Sequence, residues 1–341
     1  RQNNLMTIQI LDTIPFMAGG ALVSTALVLN NKYSERLKEP STTLSTMFTM
    51  DNQMKWRSSF VAGILFIASL VASTYGFGEI ENTHLKPFES ERLFFKGTGI
   101  FQFMLSGILV GLGAKLAQGS LTKLSFTGIP RFNGQSLIAA AVVFIFGAAT
   151  ATLRSSFSIL QGLNVTRKFN EHLDWRLSIL IPLMMLGFNL LRNFNDINAV
   201  KNIFKSFGFG SLFGLGLMLS GMGRRHQVLD FLSLNKHFNP FFIFVLLGSV
   251  LTNMFLFKTG FPEGKGERLP AEMSFRMLLG SALFGIGVGI SGLTPGSGLL
   301  VSSVYLPQVV LFYLPFIAIG QFGVGVLDRV LSGKTKGTKL E

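Results

Sequence analysis

Long apolar runs, recurring with almost nothing soluble between them, constrain this 341-residue chain more than any other feature. Nine runs stand out: Leu11–Leu29, Phe60–Phe77, Gly97–Ala117, Ser136–Leu153, Trp175–Leu191, Phe207–Met222, Pro240–Phe257, Met277–Leu293 and Val309–Leu327. A helix of about 20 apolar residues crosses the hydrocarbon of a bilayer. Backbone in that layer must satisfy its own hydrogen bonds, which leaves helices and closed barrels, and runs of this length select helices. The expected fold is all-α, a polytopic membrane helical bundle of about nine transmembrane helices. Composition agrees: 48% of residues are hydrophobic and only 14% charged, where a soluble domain carries about 25% charge.

The charges that remain are mostly basic, with a net charge of +13. No soluble basic domain with interleaved aromatics exists to bind nucleic acid, so the expected partners of these side chains are anionic membrane lipids. Of the 30 Lys and Arg, 19 fall on the side that holds the C-terminus and 11 on the side that holds the N-terminus. The positive-inside rule then places the C-terminus in the cytoplasm, or in a mitochondrial matrix. The expected location is a bacterial or mitochondrial inner membrane.

Cysteine is absent. This excludes a disulfide framework, a cysteine-ligated metal and a thiol nucleophile. The four histidines, His84, His172, His226 and His237, show no metal-ligand spacing. No nucleotide loop, catalytic triad or carboxylate pair is present. An enzyme is not expected, and no metal, cofactor or catalytic residue is assigned.

An internal repeat is visible. Four runs carry a small-xxx-small-x-small pattern: Gly20-Ser24-Ala26, Gly107-Gly111-Gly113, Gly210-Gly214-Gly216 and Ser281-Gly285-Gly287. Residues so spaced form a stripe along which helix backbones approach closely. Ordinary helix packing accounts for any single copy. Four copies, each followed by an irregular segment and another apolar run, predict a structural repeat. The fifth run, Trp175–Leu191, has no such pattern. With an odd number of crossings between the pairs, the second pair is expected to be inverted relative to the first. The organisation expected is a first half over 1–155, a linking segment over 156–203 and an inverted second half over 204–341.

The irregular segments are the candidate site. "AKLAQGSLTKLSFTGIPRFNGQS", Ala114 to Ser136, is small, hydroxyl-rich and punctuated by glycine. "SGLTPGSG", Ser291 to Gly298, has the same character. Irregular backbone at membrane depth is tolerated where it is buried in protein or lines a cavity, so both are expected to be re-entrant loops. Short helices that start there point positive N-termini at an anion, and Pro295 suits a first turn. The expected path residues are Gly119, Ser120, Thr122, Ser125, Gly221, Gly292, Thr294 and Gly296. Lys115, Arg224 and Arg225 are the candidates for attracting an anion. Snorkelling or solvated span-end charges are the plainer role for all three.

These motifs resemble those of the YeeE/YedE sulfur-transport family. "GLGAKLAQGSLTKLSFTGIPRFNGQSLIAAAVVFIFG" is similar to that family's central motif, with Gly119, Gly128, Arg131 and Ser136 in register. "FGSLFGLGLMLSGMGRRHQVLDFL" resembles its Gly-Leu-x-x-Ser-Gly-Met motif, and "LFGIGVGISGLTPGSG" its Gly-Leu-Cys-Pro-Gly-Pro motif. "GGALVSTALVLNNKYS" is a weaker match to the N-terminal motif. The resemblance implies a bundle pinched near its middle by re-entrant loops from both faces. It also implies uptake of thiosulfate or a related sulfur anion, with motif cysteines at the constriction. This chain departs at those places: Ser120 and Thr294 stand at cysteines, Leu124 at a histidine, Lys123 at a glycine. Arg224 and Arg225 also replace the usual polar residue and proline. A hydroxyl lacks the polarisable, ionisable sulfur, so a thiol relay is excluded.

Two functions remain in view. One is passage of a small anion, such as a sulfur-containing one, through a central constriction. The other is a noncatalytic structural or accessory subunit of a larger membrane complex that keeps the transporter fold. The N-terminal arm and the polar insertions Glu79–Lys96 and Lys258–Arg276 are its candidate docking surfaces, and solvated loops are the equal alternative for them.

Overall fold

The structure is a computed structural model that describes residues 10–33, 54–75, 99–117, 134–156, 175–233, 238–258, 274–303 and 306–337. All regular structure among these residues is helical: α1 (Ile10–Tyr33), α2 (Met54–Tyr75), α3 (Ile100–Leu116), α4 (Gly134–Ser156), α5 (Trp175–Arg192), α6 (Ile197–Leu219), α7 (Arg225–Leu232), α8 (Phe241–Lys258), α9 (Phe275–Ser291), α10 (Pro295–Ser302), α11 (Leu306–Phe312) and α12 (Leu314–Gly337). Each of the nine apolar runs is mostly helical where it is described. Six stretches have the length and hydropathy to cross a membrane: Thr13–Asn30, Trp56–Ser73, Gly134–Arg154, Ile197–Leu219, Phe275–Ser302 and Val309–Asp328. Ile100–Leu116, Ser178–Arg192 and Phe241–Leu256 are shorter apolar helices. The chain is a multi-pass membrane protein.

Three boundaries differ most from expectation, and one of them is the end of α12, which runs to Gly337, well past Leu327. α6 starts at Ile197, ten residues before the apolar run at Phe207. The Asp196 carboxylate caps it, accepting from the Asn198 and Ala199 amides at 3.0 and 3.2 Å. Its first turns are amphipathic, with Ala199, Ile203 and Ser206 buried on one face while Lys201, Asn202 and Lys205 are exposed. Likewise α2 begins at Met54, with Trp56, Arg57, Ser58 and Ser59 already buried.

The long helices form two groups. In one, α2 packs on α6, α6 on α1, and α1 on α8, with α5 against α2. In the other, α4 packs on α9, α9 on α3, and α3 on α12. The residues that meet give the directions. α1 runs antiparallel to α6, since Gly19 faces Ser220 and Val23 faces Gly216. α3 runs antiparallel to α9, since Ser106 meets Ser291 while Gly113 faces Phe284. The outer pairs are parallel: Phe60 and Ile67 lie against Gly210 and Gly214, and Tyr313 and Ile317 against Gly107 and Gly111.

The small-residue pattern has a sharper meaning than one flat stripe. Its first two positions face one helix and its third another. Gly210 and Gly214 lie against α2, while Gly216 lies against α1. Gly107 and Gly111 lie against α12, while Gly113 lies against α9. Gly285 faces Val143 of α4 and Gly287 faces Val110 of α3. On α1, Gly20 abuts the Val245 carbonyl, and the Ser24 hydroxyl donates to the Ser249 carbonyl at 3.4 Å, both on α8. A side chain at most of these glycines would collide with facing backbone, so close approach is obligatory for the packing.

The short helices cross between the groups. α7 follows α6 of the first group and lies against α4 and α9 of the second. α10 follows α9 of the second and lies against α2 and α6 of the first. The hydrophobic core runs through both groups without a break.

Candidate functional site

The site is built where α6 and α9 stop. α6 ends in a Schellman motif: the Gly221 amide donates to the Met218 carbonyl at 3.0 Å and the Met222 amide to the Leu217 carbonyl at 3.1 Å. Gly221 adopts a left-handed backbone with φ of 73°. α9 ends more simply. Gly292, with φ of 71°, donates its amide to the Val288 carbonyl at 2.7 Å. Glycine enters this region without the penalty a Cβ incurs, which is why both breaks fall on it.

Each break leads within a few residues to a helix of eight. Thr294 caps α10 reciprocally with Ser297. The Ser297 amide donates to Thr294 Oγ1 at 3.3 Å, and the Thr294 amide to Ser297 Oγ at 2.8 Å. Pro295 takes the first position, where no amide is missed, and every residue of α10 is buried.

The two breaks meet. Arg225, 2% exposed, donates through Nε to the Ser291 carbonyl. Its guanidinium carbon sits 5.7 Å from the centre of the Phe103 ring, a cation–π contact. Ser106 of α3 donates to the Gly287 carbonyl at 2.8 Å and meets the Ser291 hydroxyl at 2.7 Å. The Leu293 amide donates to Ser291 Oγ at 3.1 Å, and the Tyr313 hydroxyl donates to the Leu293 carbonyl at 2.7 Å. Backbone groups released by the break are therefore taken up by side chains from α3, α7 and the α11–α12 junction. Broken helices persist at membrane depth on that condition.

Of the expected site residues, the structure brings together Gly221, Gly292, Thr294, Gly296, Arg224 and Arg225. Arg224 and Arg225 are buried among helices, not solvated at a span end. Lys115 lies apart, exposed on the last turn of α3, where a cation suits the helix C-terminus. Gly119, Ser120, Thr122 and Ser125 lie outside the described residues, as does the bulk of both polar insertions. Ser106 and Tyr313 were not anticipated. Their one signal is a hydroxyl set inside an otherwise apolar run.

The arrangement sets the buried Arg225 guanidinium, at the start of α7, against the end of α9, with the α10 cap Thr294 following closely in the chain. A guanidinium and a helix N-terminus are two groups that favour negative charge. The fold and this site define a multi-pass helical membrane protein in which α6 and α9 each give way, after a left-handed glycine, to a short helix. A family model, described as a family of unknown function (DUF6691), matches residues 201–336. A "Probable transporter" of Xylella fastidiosa strain Temecula1 is 35% identical over 137 residues, covering 36% of this chain and 85% of that protein. Its counterpart in strain 9a5c is equally similar, with 86% of its length covered. "Probable transporter YedE" of Escherichia coli K12 is 33% identical over 131 residues, which are 35% of this chain and 30% of that protein. The chain belongs to the YeeE/YedE family of probable transporters, as a member without cysteine. No solved structure matches it.

Proposed function

We propose that the chain passes a small anion through the junction of its broken helices. The observation that carries this reading is buried Arg225, at the start of α7, held against the end of α9 just before α10 begins. Anionic substrates are held by helix N-termini in transporters built from broken helices. The organisation proposed is two inverted halves, 1–155 and 204–341, joined by 156–203. The antiparallel courses of α1 and α6, and of α3 and α9, support it. So does the family match, whose limits of 201 and 336 lie close to the second half. The segment Gly119–Ser125, with Ser120, is proposed to approach the junction from the opposite face as a re-entrant loop.

A sulfur oxyanion such as thiosulfate is the substrate class that membership of this family suggests. With serine and threonine at the motif positions, the site offers hydrogen bonds and positive potential without a soft sulfur contact. We therefore expect smaller oxyanions to pass at least as well as thiosulfate. The proposed membrane is a bacterial or mitochondrial inner membrane, with the C-terminus inside.

One observation favours the second reading, a structural subunit of a larger complex. Arg225 is already bound to Ser291 and Phe103, so the fold itself employs the charge. Purified protein in liposomes decides between them. Flux of thiosulfate or sulfate, indifferent to thiol alkylation and lost on Thr294→Trp, is the expected result. No flux, together with co-purification in fixed ratio with other chains, would replace transport by the subunit reading.

A further inference from the structure

We propose that a lipid acyl chain occupies a lateral cavity between α4 and α8 and seals the side of the broken-helix junction. The cavity measures about 350 Å³, within the roughly 300–1,000 Å³ of small-molecule sites. It lies where α4 of one helix group and α8 of the other stand apart, bridged by α7. Phe231 of α7 makes that bridge. Its ring centre lies 5.4 Å from Phe144 of α4 and 5.3 Å from Phe242 of α8.

The chemistry of the walls selects the occupant. The lining is aliphatic and aromatic except for Thr294 and Ser297 at the N-terminus of α10. Those two hydroxyls are engaged with each other and with each other's amides. A water needs two to four polar partners, and a desolvated anion needs more, so neither is suited to this space. The rim is continuous with the lipid-facing surface. Leu137, Ala141 and Phe144 line the cavity and are exposed. On either side the exposed faces of α4 and α8, with Ile145 at 61% and Phe255 at 67%, are apolar. In a multi-pass membrane protein such a mouth opens onto acyl chains, and an empty apolar void beside them is the less stable state. A tail lodged there keeps water and ions from reaching the α10 N-terminus from the side. The inference concerns the side of the junction and stands whether or not an anion passes through it.

The chain's two tryptophans make the test direct. With Trp56 and Trp175 replaced by Phe, a single Trp is placed by Phe242→Trp in the cavity wall. Phe255→Trp on the lipid face and Phe284→Trp in the protein core serve as references. The variants are reconstituted in phosphatidylcholine vesicles with brominated acyl chains. Fluorescence at position 242 should be quenched as strongly as at 255. Quenching no greater than at 284, or quenching at 242 by aqueous iodide instead, would overturn the proposal. Native mass spectrometry of the unaltered chain and of Ala140→Phe, which fills the cavity, gives an independent readout. Loss of one retained phospholipid in the variant is expected, and an unchanged number would also overturn it.

Discussion

The breaks after α6 and α9 share a plan and differ in how they are held. Both turn on a left-handed glycine, and both lead to a helix of eight residues. The second is held by its own sequence, through the reciprocal Thr294–Ser297 cap and Pro295 at the first position. The first has no side-chain cap at Arg224. It depends on the Schellman bonds and on Arg225 reaching across to the other break. The better-capped break therefore receives a further clamp from the less well-capped one. Arg225 ties the start of α7 to the end of α9, so the two breaks are coupled. Coupling of that kind is what a site assembled from two halves requires, and it can be tested by loosening either side.

Removing the clamp should have the largest effect. Arg225→Ala leaves the Ser291 carbonyl without this donor and a void over Phe103. Losing a buried charge-assisted hydrogen bond and its packing should cost about 3–4 kcal/mol, read by unfolding in mixed micelles. Arg225→Lys keeps the charge without the planar fork and should recover only part of that. If both variants unfold like the unaltered chain, the breaks are held independently.

The glycines should separate next. Gly292→Ala and Gly221→Ala both place a Cβ in left-handed backbone, at roughly 1–2 kcal/mol. At Gly292 the new methyl also meets the Arg225 carbonyl oxygen at 2.9 Å and Arg225 Cγ at 2.8 Å. At Gly221 it meets the far end of the Gln227 side chain, which can move, and Phe16 at 3.1 Å. Gly292→Ala should thus cost about 2–3 kcal/mol, more than its counterpart, because backbone cannot yield as a side chain can. Equal melting shifts for the pair would show that the contact with Arg225 is slack.

How much of this was legible beforehand follows from the range of each interaction. The helices were legible because each apolar run signals its own state. The start of α6 was missed by ten residues, since its first turns are polar on one side, although Asp196 and the Ala199, Ile203, Ser206 spacing carried the signal. Gly221, Gly292 and Thr294 were legible as breaks and a cap because helix-stop and cap chemistry is local. The partners of Arg225 were not. Ser291 lies 66 residues away, and two adjacent arginines at the end of an apolar run read equally well as solvated charge. The glycine stripes announced close packing, while the division of each stripe between two neighbours depends on contacts that only the folded chain makes.

A smaller effect is expected at the better-capped break. Thr294→Val removes the oxygen that accepts from the Ser297 amide while keeping the shape, and should cost about 1 kcal/mol. Thr294→Ser should retain the cap. A cost at Thr294→Val as large as at Arg225→Ala would mean that α10 is anchored chiefly by its own N-terminus, reversing the order of dependence drawn above.

The smallest effect should have the opposite sign and lies at the other break. Gln227 is 6% exposed on α7, and its Oε1 has no hydrogen-bond partner among the described residues. It sits against Gly221, in the space where a Cβ at that position would fall. An unpaired buried carbonyl forfeits its hydration without return, whereas an apolar group of similar shape does not. Gln227→Met should therefore be neutral or stabilising by up to about 1 kcal/mol. The same side chain is the flexible end that makes room in Gly221→Ala, so the double variant tests the contrast between the breaks directly. Met bends as readily as Gln, and the two changes should combine to no more than the sum of their separate costs. If Gln227→Met instead destabilises by as much as Gly221→Ala, the amide holds a partner from another part of the chain, and the α6 break has a clamp of its own.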